Sequence, residues 1–387
     1  MLQYDKFVIK VDKKNILNII SKVKNYKWDK LPDINNWFFG ANKEVLREIC
    51  HYWVNSYNWE KEQKKLNEFN HYKAQVDDLN IHFIYEKGNS SNTIPLLISH
   101  GWPGSIVEFK EIIGPLTDPY KYGIESDFCF DVIIPSIPGF AFSSAPTLPY
   151  GPRKISNYYN KLMTKFLNYD QYFAQGGDWG GAIASWLGFD HNKFCKGIHI
   201  NIMIMRDKKG VQTKKEKSWQ TQFKKNQILE EGYRSLQSTK PQTLAFAMID
   251  NPVGVASWIL EKFYGWSDIK NNNLLETFNI DDLITNIMIY LVTNSFGTAS
   301  WIYYGRRQEG GRVMNANGKR VEVPTACALF PKEFLAWPPK SYVKRLYNVM
   351  QWSKMPAGGH FASMEEPDLL TKDIYKYFKL LKKSNII

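Results

Sequence analysis

The stretch Tyr172-Phe173-Ala174-Gln175-Gly176-Gly177-Asp178-Trp179-Gly180-Gly181-Ala182-Ile183 constrains this chain more than any other. An apolar run fit for a buried strand stops at a glycine pair. A carboxylate follows, and a helical pattern then runs through Trp186, Leu187 and Phe189. That layout predicts a sharp strand-to-helix elbow, which holds a reactive side chain above a sheet. Gly176 and Gly180 flank Asp178 where a Cβ would collide with the turn. The usual elbow carries serine, and this one carries aspartate. A serine attacks a carbonyl carbon, whereas a carboxylate can attack an sp3 carbon, opening an epoxide or displacing a halide. The ester so formed has its only carbonyl on Asp178, so water must attack the protein itself. Such chemistry needs a base for the water and an oxyanion hole at Asp178. Free N–H groups of the following helix favour an ionised carboxylate there. A plain Asp N-cap after a βα turn is the other reading, and these residues alone leave it open.

The flanking segments place the elbow in a sheet. Residues 71–76 and 79–85 alternate around Asp77-Asp78 and predict a hairpin. Continuous apolar strands at 94–99 and 128–134 end in His100-Gly101-Trp102-Pro103-Gly104-Ser105 and Pro135-Ser136-Ile137-Pro138-Gly139-Phe140. Helical patterns alternate with them, which predicts an α/β fold with a mostly parallel sheet and helices on both faces. From about 205 to 313 the alternation gives way to aromatic-rich helical sequence, the mark of an inserted cap. The sheet resumes at 321–330 and 347–352, and an amphipathic helix at 367–381 follows. Asp12 caps a helix bearing Ile16, Leu17, Ile19, Ile20 and Val23, and two more helical segments follow it. The expected division is 1–70, an N-terminal helical extension wrapping the core; 71–204, the first part of the core; 205–315, the helical cap; and 316–387, the second part of the core.

Net charge is +12, with much of the excess at 208–225 and around Lys382-Lys383. These lysines are interleaved with polar residues, without the arginine-and-aromatic pattern of a nucleic-acid surface. They read as solvated surface, with weak attraction to an anionic membrane as the minority view. Cys50, Cys129, Cys195 and Cys327 are far apart and show no metal-ligand spacing, which predicts buried free thiols in a reducing compartment and no metal or other cofactor. No signal peptide or apolar run of membrane-spanning length is visible, so a soluble, cytoplasmic protein is expected. Oligomeric state leaves no signal.

Three further features support catalysis. His360 lies in Ala357-Gly358-Gly359-His360-Phe361, between the last strand and the last helix. Glu333 lies just past the strand after the cap. The order Asp178, Glu333, His360 is the nucleophile–acid–histidine order of α/β-hydrolases. Asn201 occupies the alternative acid position, where an amide cannot supply charge. His100-Gly101-Trp102-Pro103 places a loop N–H so that Trp102 and Trp179 can form the oxyanion hole. Glu333 also reads as a helix-start carboxylate, and His191 and His199 read as structural.

With these residues the chain resembles the microsomal-type epoxide hydrolases, including the juvenile hormone epoxide hydrolases of insects. The resemblance runs through Asn67-Glu68-Phe69-Asn70-His71-Tyr72-Lys73, the 100–105 and 135–140 loops and the elbow. It continues through Pro252-Val253-Gly254, Ile259-Leu260-Glu261-Lys262-Phe263 and Gly358-Gly359-His360-Phe361. It implies an α/β-hydrolase fold with a helical cap. It also implies Asp178 as nucleophile, His360 as base, Glu333 as its orienting acid, and two cap tyrosines that protonate the epoxide oxygen. One tyrosine matches Tyr304. The other position, just before Ile259, holds Trp258, whose indole cannot act as a phenol does. Trp258, Tyr303 and Phe140 are expected to line the substrate pocket. The implied partners are a small apolar epoxide and water, in xenobiotic or lipid epoxide metabolism. Two other readings stand beside this one. A haloalkane or haloacid dehalogenase would use Asp178 with Trp179 and Trp258 as halide donors. A non-hydrolytic binding protein or isomerase would account for Trp258.

Overall fold

The computed structural model describes residues 3–314 and 318–387, so the expected boundary between 315 and 316 lies outside the described residues. The chain opens with β1 (Tyr4–Phe7), α1 (Lys13–Lys24), α2 (Lys43–Asn55) and α3 (Trp59–Leu66). Then come β2 (His71–Val76), β3 (Leu79–Glu86), β4 (Thr93–Ser99), α4 (Lys110–Thr117), β5 (Cys129–Pro135), α5 (Pro152–Lys161), β6 (Tyr172–Gly176), α6 (Asp178–Asp190) and β7 (Cys195–Ile200). The inserted helices are α7 (Lys214–Leu229), α8 (Glu231–Thr239), α9 (Pro241–Met248), α10 (Pro252–Trp266), α11 (Leu274–Thr277), α12 (Ile280–Val292) and α13 (Phe296–Gln308). The sheet resumes with β8 (Val321–Leu329), α14 (Lys340–Val343) and β9 (Tyr347–Lys354). α15 (Ala362–Glu365) and α16 (Pro367–Lys383) end the chain.

All nine strands among the described residues form one sheet in the order β1-β2-β3-β5-β4-β6-β7-β8-β9. From β5 to β9 neighbouring strands are parallel, and β1, β2, β3 and β5 pair antiparallel. This is the α/β-hydrolase arrangement expected from the strand–helix alternation. β4, β5 and β6 are buried almost throughout, as two-sided strands must be. All four cysteines are free and buried.

The N-terminal segment departs from the helical expectation, because Tyr4–Phe7 pairs with β2 at the sheet edge. Four residues are too few to display a period of two. Asp12 does cap α1, accepting from the Lys14 N–H at 2.8 Å. Beyond the edge strand, α1 and α2 pack on α10, and α3 packs on α12. The Tyr57 hydroxyl bonds the Thr285 hydroxyl at 2.9 Å in the buried part of that contact. The segment therefore ties the sheet edge to the cap and braces the cap from outside.

The elbow depends on missing Cβ atoms. A Cβ on Gly180 would sit 1.8 Å from the Ser99 carbonyl oxygen, and one on Gly176 would sit 2.2 Å from the Gly180 backbone. Asp178 itself takes φ of 43°, a left-handed conformation costly for any residue with a side chain. Gly180→Ala should therefore force β4 and α6 apart and destabilise the fold by about 1–3 kcal/mol, the usual range for overpacking. Urea unfolding of the variant checks this, and an unchanged midpoint would show that the turn relaxes freely.

Candidate active site

Asp178 is the first residue of α6, with Gly177 at the N-cap, so the plain N-cap reading of the aspartate gives way. Its Oδ1 accepts from the Trp102 N–H at 2.8 Å. Gly101 permits this approach, because a Cβ there would lie 2.1 Å from that same oxygen. Oδ2 faces the other way and lies 3.6 Å from Nε2 of His360. The imidazole Nδ1–H donates to Glu333, at 2.9 Å to Oε2 and 3.1 Å to Oε1, and Glu333 Oε1 also accepts from the Leu335 N–H at 3.0 Å. That contact orients the ring with Nε2 toward Asp178. The His360 backbone N–H donates to the Trp266 carbonyl at 3.0 Å, which locks the loop beneath the cap.

Burial dominates the electrostatics. It pushes the Asp178 carboxyl up, and the His360 charge and the N–H groups of Trp102 and Trp179 work against it. Burial alone would push His360 down. The charge and hydrogen bond of Glu333, and then the charge of Asp178, overcome this and raise the imidazole to about 9. The free site thus holds an imidazolium between two carboxylates.

Glu108 was not singled out from sequence, where it reads as an ordinary acid in a helical first turn. It shares a cavity with Gln175, Asn201, Asp178 and His360 on the sheet side of the nucleophile. Burial, reinforced by the Asp178 charge, raises its carboxyl to about 8, so it carries a proton near neutrality. Asn201, passed over as an acid, accepts from Gln175 Nε2 at 3.0 Å in this cavity. His199 bonds Asp373 at 3.1 Å, and His191 bonds Asn157 at 2.9 Å, away from these groups.

On the cap side the structure brings Tyr303 to Asp178's neighbours. Tyr303, not Tyr304, packs on the oxyanion-hole residues, with its ring edge-on to Trp179 at 4.7 Å and to Trp102 at 5.8 Å. Tyr304 is one position further along α13, rotated about 100° about its axis. The second phenol is Tyr233 of α8, stacked on Trp102 at 5.3 Å and edge-on to Tyr303 at 5.8 Å. Burial first, and then the Asp178 charge, holds both phenols above their ordinary range, and each perturbs the other's ionisation. The Trp258 Nε1–H donates to Gln237 Oε1 at 2.9 Å, and Trp258 lies outside the cavity that holds Tyr233 and Tyr303. Phe140 packs against His100 at 5.3 Å and Tyr290 at 6.3 Å. The signal that could have found Tyr233 is weak: a tyrosine one helical turn before Gln237 in an aromatic-rich insertion.

Comparison with known proteins agrees with this geometry. Residues 4–109 match the family described as Epoxide hydrolase N terminus, and residues 94–223 match the alpha/beta hydrolase fold. Epoxide hydrolase 1 of Sus scrofa is 33% identical, with 97% of this chain and 88% of that protein covered. Juvenile hormone epoxide hydrolase 1 of Ctenocephalides felis is 34% identical, with 97% and 86% covered. The crystal structure of juvenile hormone epoxide hydrolase from Bombyx mori superposes with a TM-score of 0.90 at 27% identity, covering 100% of this chain and 96% of that one.

The charge alternation makes a prediction of its own. Asp178→Asn removes one of the negative charges that raise His360, so the imidazole should titrate below about 9 in the variant. NMR titration of the imidazole protons measures this. A value that stays put or rises would mean the two groups are not coupled.

Proposed function

Because the chain belongs to the microsomal-type epoxide hydrolases, enzymes that act on the ether bond of an epoxide, we propose that it converts epoxides to vicinal diols through an ester on Asp178. The observation that carries this reading is the split role of the Asp178 oxygens: Oδ1 rests on the Trp102 N–H, and Oδ2 is left to attack. Oδ2 bonds to an epoxide carbon as the carbon–oxygen bond breaks. Tyr303 and Tyr233 bond the leaving oxygen, and one phenol gives it a proton. Their raised ionisation keeps both protonated and able to donate.

Ester formation also prepares the second step. Alkylation cancels the Asp178 charge, which removes one cause of the high His360 basicity. His360 can then release its proton, restore the phenol, and take a proton from water. The resulting hydroxide attacks the Asp178 carbonyl carbon, and the oxyanion develops on the N–H groups of Trp102 and Trp179. Protonated Glu108 lies in the same cavity as His360 and can donate to that water. Collapse of the tetrahedral intermediate expels the diol and regenerates the carboxylate. The dehalogenase reading loses a donor because Trp258 is already bonded, and the non-hydrolytic reading loses its motive because Tyr233 supplies the second phenol.

His360→Gln should leave alkylation possible and block hydrolysis. Intact-protein mass spectrometry after mixing with a terminal epoxide such as styrene oxide should show an adduct of the epoxide's mass. Epoxide consumed with no adduct would sink the ester route. In rapid-mixing kinetics, Tyr303→Phe should slow alkylation by about 10²–10⁴-fold, the range of a general acid. Tyr304→Phe should change it little. The opposite pattern would return the acid to the position first read from sequence.

A further inference from the structure

The cavity on the cap side of Asp178 holds more positive charge than ring opening requires. Tyr233, Tyr303, Arg234, Arg306 and Arg312 all line it. Arg234 pairs with Glu231 one helical turn away. Glu230, the other carboxylate lining the cavity besides Asp178, accepts from Lys262 Nζ and Trp266 Nε1, both at 2.9 Å. Arg306 and Arg312 are different. Arg306 is 6% exposed, its guanidinium carbon lies 5.3 Å from the centre of the Trp179 ring, and its buried Nε–H has no acceptor. The buried Nε–H of Arg312 has none either. Neither side chain makes an ion pair among the described residues. Next to them, Arg206 binds the carbonyls of Met203, Ile204 and Met205 through Nη1 and leaves Nη2 without an acceptor.

Buried donors are normally satisfied, and a buried unpaired charge is costly. Two such donors, on residues lining one cavity, call for an acceptor that carries charge. Burial and then the mutual repulsion of Arg206, Arg306 and Arg234 depress Arg312 well below the usual arginine range. Arg206 lies outside the lining, so once the paired residues cancel, two lining guanidiniums, those of Arg306 and Arg312, face the single charge of Asp178, and one more negative charge balances the cavity. A carboxylate supplies one charge and two coplanar oxygens suited to a guanidinium fork, whereas a phosphate dianion would overshoot.

We propose that the preferred substrate is an epoxide bearing a carboxylate, held by Arg306 and Arg312 while Asp178 opens the ring. This rests on the epoxide-hydrolase reading and replaces the purely apolar substrate expected from the aromatic cap. The carboxylate anchors one end of the molecule, the aromatic walls take its chain, and Tyr233 and Tyr303 receive the ring oxygen.

The test compares terminal epoxyalkanoates of stepped length, beginning with 5,6-epoxyhexanoate, with their methyl esters. The wild-type enzyme should favour the best acid over its ester in kcat/KM by about tenfold or more, the worth of a charge-assisted hydrogen bond. Arg312→Gln and Arg306→Gln should collapse that ratio mainly through KM for the acid, and Arg312→Lys should restore part of it. A wild-type ratio at or below one would overturn the proposal, and so would a ratio that survives both glutamine variants. Esters hydrolysed to diols without any preference for acids would remove this inference and leave the function standing. A broad epoxide panel giving no diol would remove the function instead. Should the variants not fold, or no epoxyalkanoate turn over, wild-type thermal shift with hexanoate and hexanamide decides. Stabilisation by hexanoate alone supports the carboxylate site, and equal or absent shifts overturn it.

Discussion

The site depends on an imidazolium held between two buried carboxylates. Each of the three charges would be unfavourable alone at this depth, and together they are stable. Their order is imposed by the backbone. β6 must end at glycine, Asp178 must enter a left-handed conformation, and Gly101 must lack a side chain for Trp102 to reach Oδ1. Asp178 is thus pinned through one oxygen while the other faces His360. On the proposed function the same pinning donor would also hold the oxyanion, so ground-state geometry and transition-state stabilisation would have one source.

The two faces of Asp178 have opposite chemistry. On the sheet side, Glu108, Gln175 and Asn201 make a small polar cavity next to His360, fit for water. On the cap side, aromatic walls, two phenols and three arginines line a second small cavity. Attack on an sp3 carbon from one side and hydrolysis of an ester from the other is a sequence of steps that an aspartate elbow allows and a serine elbow does not. Trp102 belongs to both faces: its N–H serves the oxyanion, and its indole stacks on Tyr233.

Legibility from sequence followed how local each constraint was. The convergence of Asp178, His360 and Glu333 was readable because each sits in the turn or loop just past a strand. The core strands were readable because buried parallel strands are continuous apolar runs. β1 was not, since four edge residues carry no period. Tyr233 was missed, and Tyr303 was read as a pocket residue and not as the acid, for a different reason. A helix tells which residues share a face, but which face turns to the nucleophile is decided by how α8 and α13 pack, and a slip of one residue turns a side chain about 100° away. Trp258 misled because it adjoins Ile259-Leu260-Glu261-Lys262-Phe263, a strong sequence anchor that sits on another helix from the phenol. Arg306 and Arg312 were not singled out in the sequence, and only the folded cap reveals that an Nε–H of each is buried without an acceptor.

Tyr233 and Tyr303 come from separate helices, α8 and α13, that touch each other above Asp178. The electrophile is therefore a property of a joint and belongs to neither helix alone. Any motion that parts the two helices widens the cavity and at once draws the phenols away from each other and from the nucleophile. On the proposed function, release of the diol and loss of ring-opening power would then be a single event. A gaping cap would be chemically idle, and a strained ring would meet the carboxylate in reactive form only with the joint shut.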